Sequence, residues 1–167
     1  MSSPIYILGG ARTPMADYAG KLRDVSAIDL AAVASKAALE RSGVPADAVQ
    51  HAVFGNVQQS SSDAAYAARH IALKAGVPVE VPALTVNRVC GSGAQAIVTA
   101  AQEIQLGLGD VAVAGGMESM ERAPYLLDCT IQAQNGRCCG NTEFRGHNSI
   151  AQPIQFIAHH VMRDDAR

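Results

Sequence analysis

Tryptophan is absent, and aromatic residues make up only 4% of the chain. Lys and Arg number 13 against 15 Asp and Glu, for a formal charge of -2. A chain with neither a basic excess nor stacking rings is poorly equipped to bind nucleic acid. No apolar run approaches the roughly 20 residues needed to cross a bilayer. The opening stretch, MSSPIYILGG, lacks a basic segment followed by an apolar one, and it is not Arg-rich. It reads as a first strand starting at once, and the cytoplasm is the compartment this suggests. Cysteine is missing from the first 89 residues, and three of the four cysteines crowd into 129–139. That pattern is no disulfide framework, so a reducing compartment is the default.

What remains is a globular composition: 167 residues, 49% hydrophobic and 17% charged. A chain of this size buries roughly 70% of its unfolded surface, enough for one core and too little for two full domains. Residues 4–9 read as a short buried strand. Residues 26–43 read as a helix, with Ser26 and Asp29 forming a capping box and Leu30, Val33, Ala34, Ala37 and Ala38 on one face. Gly43-Val44-Pro45 ends it. A second strand is expected at 49–57. A second helix follows at 64–75, capped by Ser62 or Asp63 and stopped by Gly76-Val77-Pro78. A third strand is expected at 83–89, a third helix at 91–106 that is apolar nearly all round, and a fourth strand at 111–116. The order βαβαβαβ with short connections implies an α/β fold, a mostly parallel sheet with helices on both faces. After Tyr125 the texture changes. Residues 126–167 are rich in Gln, Asn, Cys, His and Gly, and only 150–162 has a mildly apolar pattern suggesting a helix.

The segment Asn87-Arg88-Val89-Cys90-Gly91-Ser92-Gly93 sits where a strand turns into a helix. Ligands in open α/β sheets favour the carboxyl ends of strands. Unpaired N–H groups and the positive dipole end of a helix favour a thiolate at Cys90. Gly91 and Gly93 clear space beside the sulfur. The Cys90 N–H is a candidate donor to an oxyanion. A thiolate both attacks and leaves readily, which suits acyl transfer to and from a thioester. A lone cysteine is more often a small buried hydrophobe. The glycines, the helix start and the polar Asn87, Arg88 and Ser92 tip the balance toward chemistry. A competing reading takes Gly91, Gly93 and Ala96 as a dinucleotide fingerprint. It is weaker, because no acidic residue ends a following strand at the usual spacing; Glu118 comes late and Asp110 precedes its strand.

The run NRVCGSGAQAI resembles the nucleophile segment of thiolases, the acetyl-CoA acyltransferases. The likeness continues in GGARTP, in GNVQQSSSDAAYAARHIALKAGVPVEVPAL and in AGGMESMERAPYLL, across roughly three-quarters of the chain. It is nearest to the 3-ketoacyl-CoA and acetoacetyl-CoA thiolases of fatty-acid breakdown. The resemblance implies a thiolase-like N-terminal half with a five-stranded mixed sheet. It implies Cys90 as the nucleophile that forms an acyl-thioester intermediate, with CoA and acyl-CoA as substrates and no separate cofactor. It also implies a homo-oligomer through the strand of Asn87, Arg88 and Val89. Residues 115–120 become a strand end under the active-site floor.

The resemblance has an edge. Thiolases are longer, and their second half supplies a Gly-His-Pro histidine and a Cys-x-Gly-Gly-Gly cysteine. Gly146-His147-Asn148 and Cys139-Gly140-Asn141 are superficial echoes. The family's fifth strand comes later in its chain and is expected to be missing here. That absence would leave an apolar edge at 111–114 and a marginally folded chain. The expected division is therefore a core of residues 1–125 and a divergent tail of 126–167, fitting a truncation or frameshift. Cys129, Cys138, Cys139 and His147 lack zinc-site spacing, so no metal is expected, and His159 and His160 read as solvated. The leading function is thiolytic cleavage of 3-ketoacyl-CoA or the reverse condensation, with this chain lacking the base. The alternatives are a non-catalytic dimerisation module of thiolase type and a dinucleotide-binding domain.

Overall fold

A computed structural model describes residues 4–124 and the backbone of a strand at 158–163. Its elements are β1 (Ile5–Ala11), α1 (Ala27–Ser42), β2 (His51–Gly55), α2 (Ala67–Ala75), β3 (Ala83–Val86), α3 (Ser92–Gln105), β4 (Val111–Gly116) and β5 (Ala158–Arg163). The described strands form one sheet in the order β1-β5-β4-β2-β3. β2 runs parallel to both β3 and β4, while β5 is antiparallel to β4 and to β1. Four strands therefore point one way and β5 points the other.

The period-2 alternation of strands splits the core into two layers. Ala52 and Phe54 of β2 and Val113 of β4 face α1 and α2, against Ile28, Leu30, Ala31, Leu39, Ala68 and Ile71. Val53 of β2 and Ala112 and Ala114 of β4 face α3, against Ala96, Ala100 and Ile104. Helices on both faces explain why these strands are near-continuous apolar runs rather than alternating ones.

The helix signals act largely as read. Ser26 caps α1: its Oγ accepts from the Asp29 N–H at 3.0 Å and donates to Asp29 Oδ2 at 2.6 Å. Gly43 and Gly76 close α1 and α2 with φ of 68° and 94°, the left-handed region that glycine enters without steric cost. Asp29 also pairs with Lys74 Nζ at 2.8 Å, joining the two helices.

Several expectations are corrected. Val33 is 64% exposed; in so alanine-rich a helix the buried side is set by what packs on it, here Ile28, Leu30, Ala31 and Leu39. Residues 64–66 are a 3-10 turn before α2, and neither Ser62 nor Asp63 gives a side-chain cap; Asp63 instead accepts from Ser61 Oγ. α3 buries only the stripe Ser92, Ala96, Ala100 and Ile104, and Val98 is 48% exposed. β3 stops at Val86, so Asn87, Arg88 and Val89 belong to a turn.

The largest correction concerns the fifth strand. β5 is present and pairs on both sides, so β4 is an interior strand and not an open edge. Among the described strands the edges are β1 and β3. Residues 158–162 are extended rather than helical, and the backbone of His159 and His160 lies within the sheet rather than in a free tail. Cys129, Cys138, Cys139, His147 and the two motif echoes lie outside the described residues.

Candidate functional site around Cys90

Cys90 is exposed and is a free thiol. It stands two residues before α3, just beyond the carboxyl end of β3. The Gly91 N–H donates to the Arg88 carbonyl at 3.1 Å, closing a turn with Val89 and Cys90 at its centre. Val89 has φ of 50°. A β-branched residue rarely adopts that value, and such outliers concentrate at functional sites.

Ser92 lies under this turn and is only 4% exposed. Its hydroxyl accepts from the Arg88 N–H at 2.8 Å and donates to the Val89 carbonyl at 2.7 Å. Asn87 Oδ1 accepts from the Val89 N–H at 3.0 Å. Arg88 donates to Gln95 Oε1 at 2.8 Å, so its guanidinium is tied along α3.

Glycines bring α3 down onto the sheet. A Cβ on Gly55, the last residue of β2, would fall 2.5 Å from the carbonyl carbon of Ser92. A Cβ on Gly116, the last of β4, would fall 3.1 Å from Gly93 Cα. Ala96 is fully buried and has a packing role, whereas a Cβ on Gly93 itself would make only an ordinary contact, 3.8 Å from Gly116 Cα.

Just past the carboxyl ends of β2 and β4 lies a polar knot that sequence reasoning missed. Glu118 is 6% exposed, and its carboxylate accepts from the N–H groups of Val57 at 3.0 Å and Gln58 at 2.9 Å. The side-chain amide of Asn56 donates to the Gln58 carbonyl at 3.1 Å and reaches Glu118 Oε1 at 3.4 Å. The Met117 N–H donates to the Gly55 carbonyl at 2.9 Å. Burial pushes the Glu118 carboxyl above its usual range, against the two N–H bonds that pull it down. The available signal was the pairing of GN after one strand with GGMES after another, both placing polar residues just past apolar runs.

An ionisable pair sits at the other end of the sheet. His51 Nδ1 and Glu103 Oε2 are 2.6 Å apart, joining the start of β2 to α3. Burial raises the Glu103 carboxyl and the neighbouring His51 opposes this. Among the described residues, no acid or base is hydrogen-bonded or ion-paired to Cys90, and no cluster of three metal-ligating side chains occurs. Among them also, no helix is long and apolar enough to cross a membrane.

An α/β layer that lifts one exposed thiol on a strained strand-to-helix turn defines a class of fold and site together. The chain belongs to the thiolase family, its residues 5–154 matching the thiolase N-terminal domain. That match runs past the change of texture at residue 125. The chain is 49% identical over 123 residues to the mitochondrial 3-ketoacyl-CoA thiolase of Homo sapiens, covering 74% of this chain and 31% of the relative. It is 49% identical over 161 residues to the acetyl-CoA acetyltransferase of Yarrowia lipolytica, covering 84% of this chain and 40% of the relative. The crystal structure of human mitochondrial 3-ketoacyl-CoA thiolase superposes with a TM-score of 0.78 at 42% identity, over 85% of this chain and 36% of that one. The same enzyme has been solved in complex with CoA. The chain thus spans between 31% and 40% of the length of these relatives.

Proposed function

We propose that this chain carries the nucleophile of a thiolase-type acyl transfer, with Cys90 as the residue that becomes acylated. The observation that carries the reading is the exposed Cys90 thiol on a turn held in a strained conformation, ahead of α3 and at the carboxyl end of a parallel strand. In the proposed reaction the Cys90 thiolate attacks the keto carbonyl of a 3-ketoacyl-CoA. The carbon–carbon bond then breaks, its electron pair leaving with the acetyl-CoA fragment, which takes up a proton. The thiol of CoA gives up its proton and attacks the acyl-cysteine, forming the shortened acyl-CoA, and the Cys90 thiolate leaves. Condensation is the same sequence reversed.

The donor and acceptor of that proton are proposed to come from outside the described residues, since none of these engages Cys90. A solitary thiol supports slow acylation but not rapid turnover. CoA and acyl-CoA are the proposed substrates, as the relatives' names indicate. A homo-oligomer is proposed through the outer edge of β3, which among the described strands pairs only with β2 and leads into Asn87, Arg88 and Val89. We keep the cytoplasm as the proposed compartment, and a tagged chain found in mitochondria would overturn that. The division into a core of 1–125 and a divergent tail of 126–167, by truncation or frameshift, is likewise our reading. Sequencing the coding DNA onward from the Tyr125 codon tests it, because another frame reaching Gly-His-Pro and Cys-x-Gly-Gly-Gly would bear it out.

The test of the catalytic reading is to incubate the purified chain with acetoacetyl-CoA and map acylated peptides by mass spectrometry. One acetyl group on Cys90 is the expected result. Acylation elsewhere, or none, would overturn the assignment. Steady turnover near the roughly 10 per second of ordinary enzymes would overturn the view that the base is missing.

A further inference from the structure

We propose that Ser92 is a positioning residue that clamps Val89 in its left-handed conformation and thereby fixes the direction in which Cys90 presents its thiol. The inference rests on the reading of Cys90 as the nucleophile.

Val89 is an unfavourable residue for φ of 50°, because its branched Cβ crowds the backbone there. Its side chain is 65% exposed in the single chain, so no packing within the chain holds it in place. Within the chain the conformation is imposed through the backbone. Both polar groups of Val89 are held: its N–H by Asn87 Oδ1, and its carbonyl by the Ser92 hydroxyl and the Ser92 N–H. The same hydroxyl accepts from the Arg88 N–H, so one oxygen grips the chain on either side of the strained residue.

The two anchors differ in how firmly they are seated. Asn87 is exposed in the single chain, where water can replace its bond. Ser92 is buried against β2, with its Cβ 2.7 Å from where a Cβ of Gly55 would stand. It begins α3 and shares the buried stripe with Ala96, Ala100 and Ile104. Ser92 therefore transmits the rigidity of the sheet to the turn, and Cys90, the next residue after Val89, follows.

A double-substitution cycle tests the clamp. Four proteins are compared: the unmodified chain, Ser92→Ala, Val89→Gly and the double variant. The readout is the rate at which iodoacetamide alkylates Cys90, resolved from the other cysteines by peptide mapping. Ser92→Ala is expected to slow that rate roughly tenfold, since small misplacements of a reacting group are costly. Val89→Gly is expected to react much as the unmodified chain does, because glycine enters positive φ unaided. In the Val89→Gly background, Ser92→Ala is expected to have little further effect. An unchanged rate in Ser92→Ala, or the same loss in both backgrounds, would overturn the proposal. If Ser92→Ala does not fold, the double variant decides: recovery of the fold supports the clamp, and failure to recover overturns it. Alkylation needs no acyl-CoA. A chain that shows the full cycle yet never acylates Cys90 would therefore count against the catalytic reading and leave the clamp standing.

Discussion

Gly55 and Ser92 meet with no room for a side chain between them: a Cβ on Gly55 would lie 2.5 Å from the Ser92 carbonyl carbon and 2.6 Å from its oxygen. The contact seats the start of α3 directly on the end of β2, and with it the turn that bears Cys90.

Gly55→Ala should therefore push α3 away from the sheet. The contact is with backbone, which cannot swing aside, so a loss of about 1–3 kcal/mol is expected. Urea unfolding measures it. Gly91→Ala is the comparison, since the nearest atom to its Cβ is 3.4 Å away. Equal losses for the two would contradict the packing described.

Glu118 should make stability depend on pH. Burial raises its folded carboxyl above the usual 4.5, so the folded state holds a proton that the unfolded chain has released. Its contribution is full below 4.5 and falls as pH rises through the raised value. Glu118→Gln does not titrate and should flatten that fall. Unfolding curves from about pH 4 to about pH 8 give the comparison, and parallel pH profiles for the two proteins would refute it.

The contrast between these two sites shows what was legible beforehand. The helix stops could be read locally, because Gly43 and Gly76 act within their own turns. So could Cys90, from the glycines and the strand-to-helix junction around it. Glu118 could not, because its partners Val57 and Gln58 are about 60 residues away and meet it only once β2 and β4 pair. The φ of Val89 leaves no trace in a residue type that avoids it. Val33 misled because alanine on every side of α1 leaves the apolar face poorly marked. β5 escaped because AHHVMR shows no clear alternation, and its partners lie far back in the chain.

Ser26→Ala should remove the cap of α1, where the hydroxyl accepts the Asp29 N–H. A cost of about 1 kcal/mol is expected, and Ser26→Asp should restore most of it. Thermal or urea unfolding would show the order. A neutral Ser26→Ala would mean that the cap is redundant with the Asp29 and Lys74 pair.

Cys90→Ser should abolish the acyl adduct without weakening the fold. The side chain is exposed, so a change within about 0.5 kcal/mol is expected. Loss of several times that amount would mark Cys90 as a structural residue.

The place of β5 has a consequence for how the sheet comes together. Among the described strands, β1 is hydrogen-bonded to β5 and to no other, and β5 links it to β4. β1 must therefore wait for this partner until residues 158–163 have been made. Pairings between such distant segments form slowly. In the meantime the side of β4 that β5 covers is as bare as an open edge. Any change that costs the chain β5 would cost it two strands of the ladder rather than one.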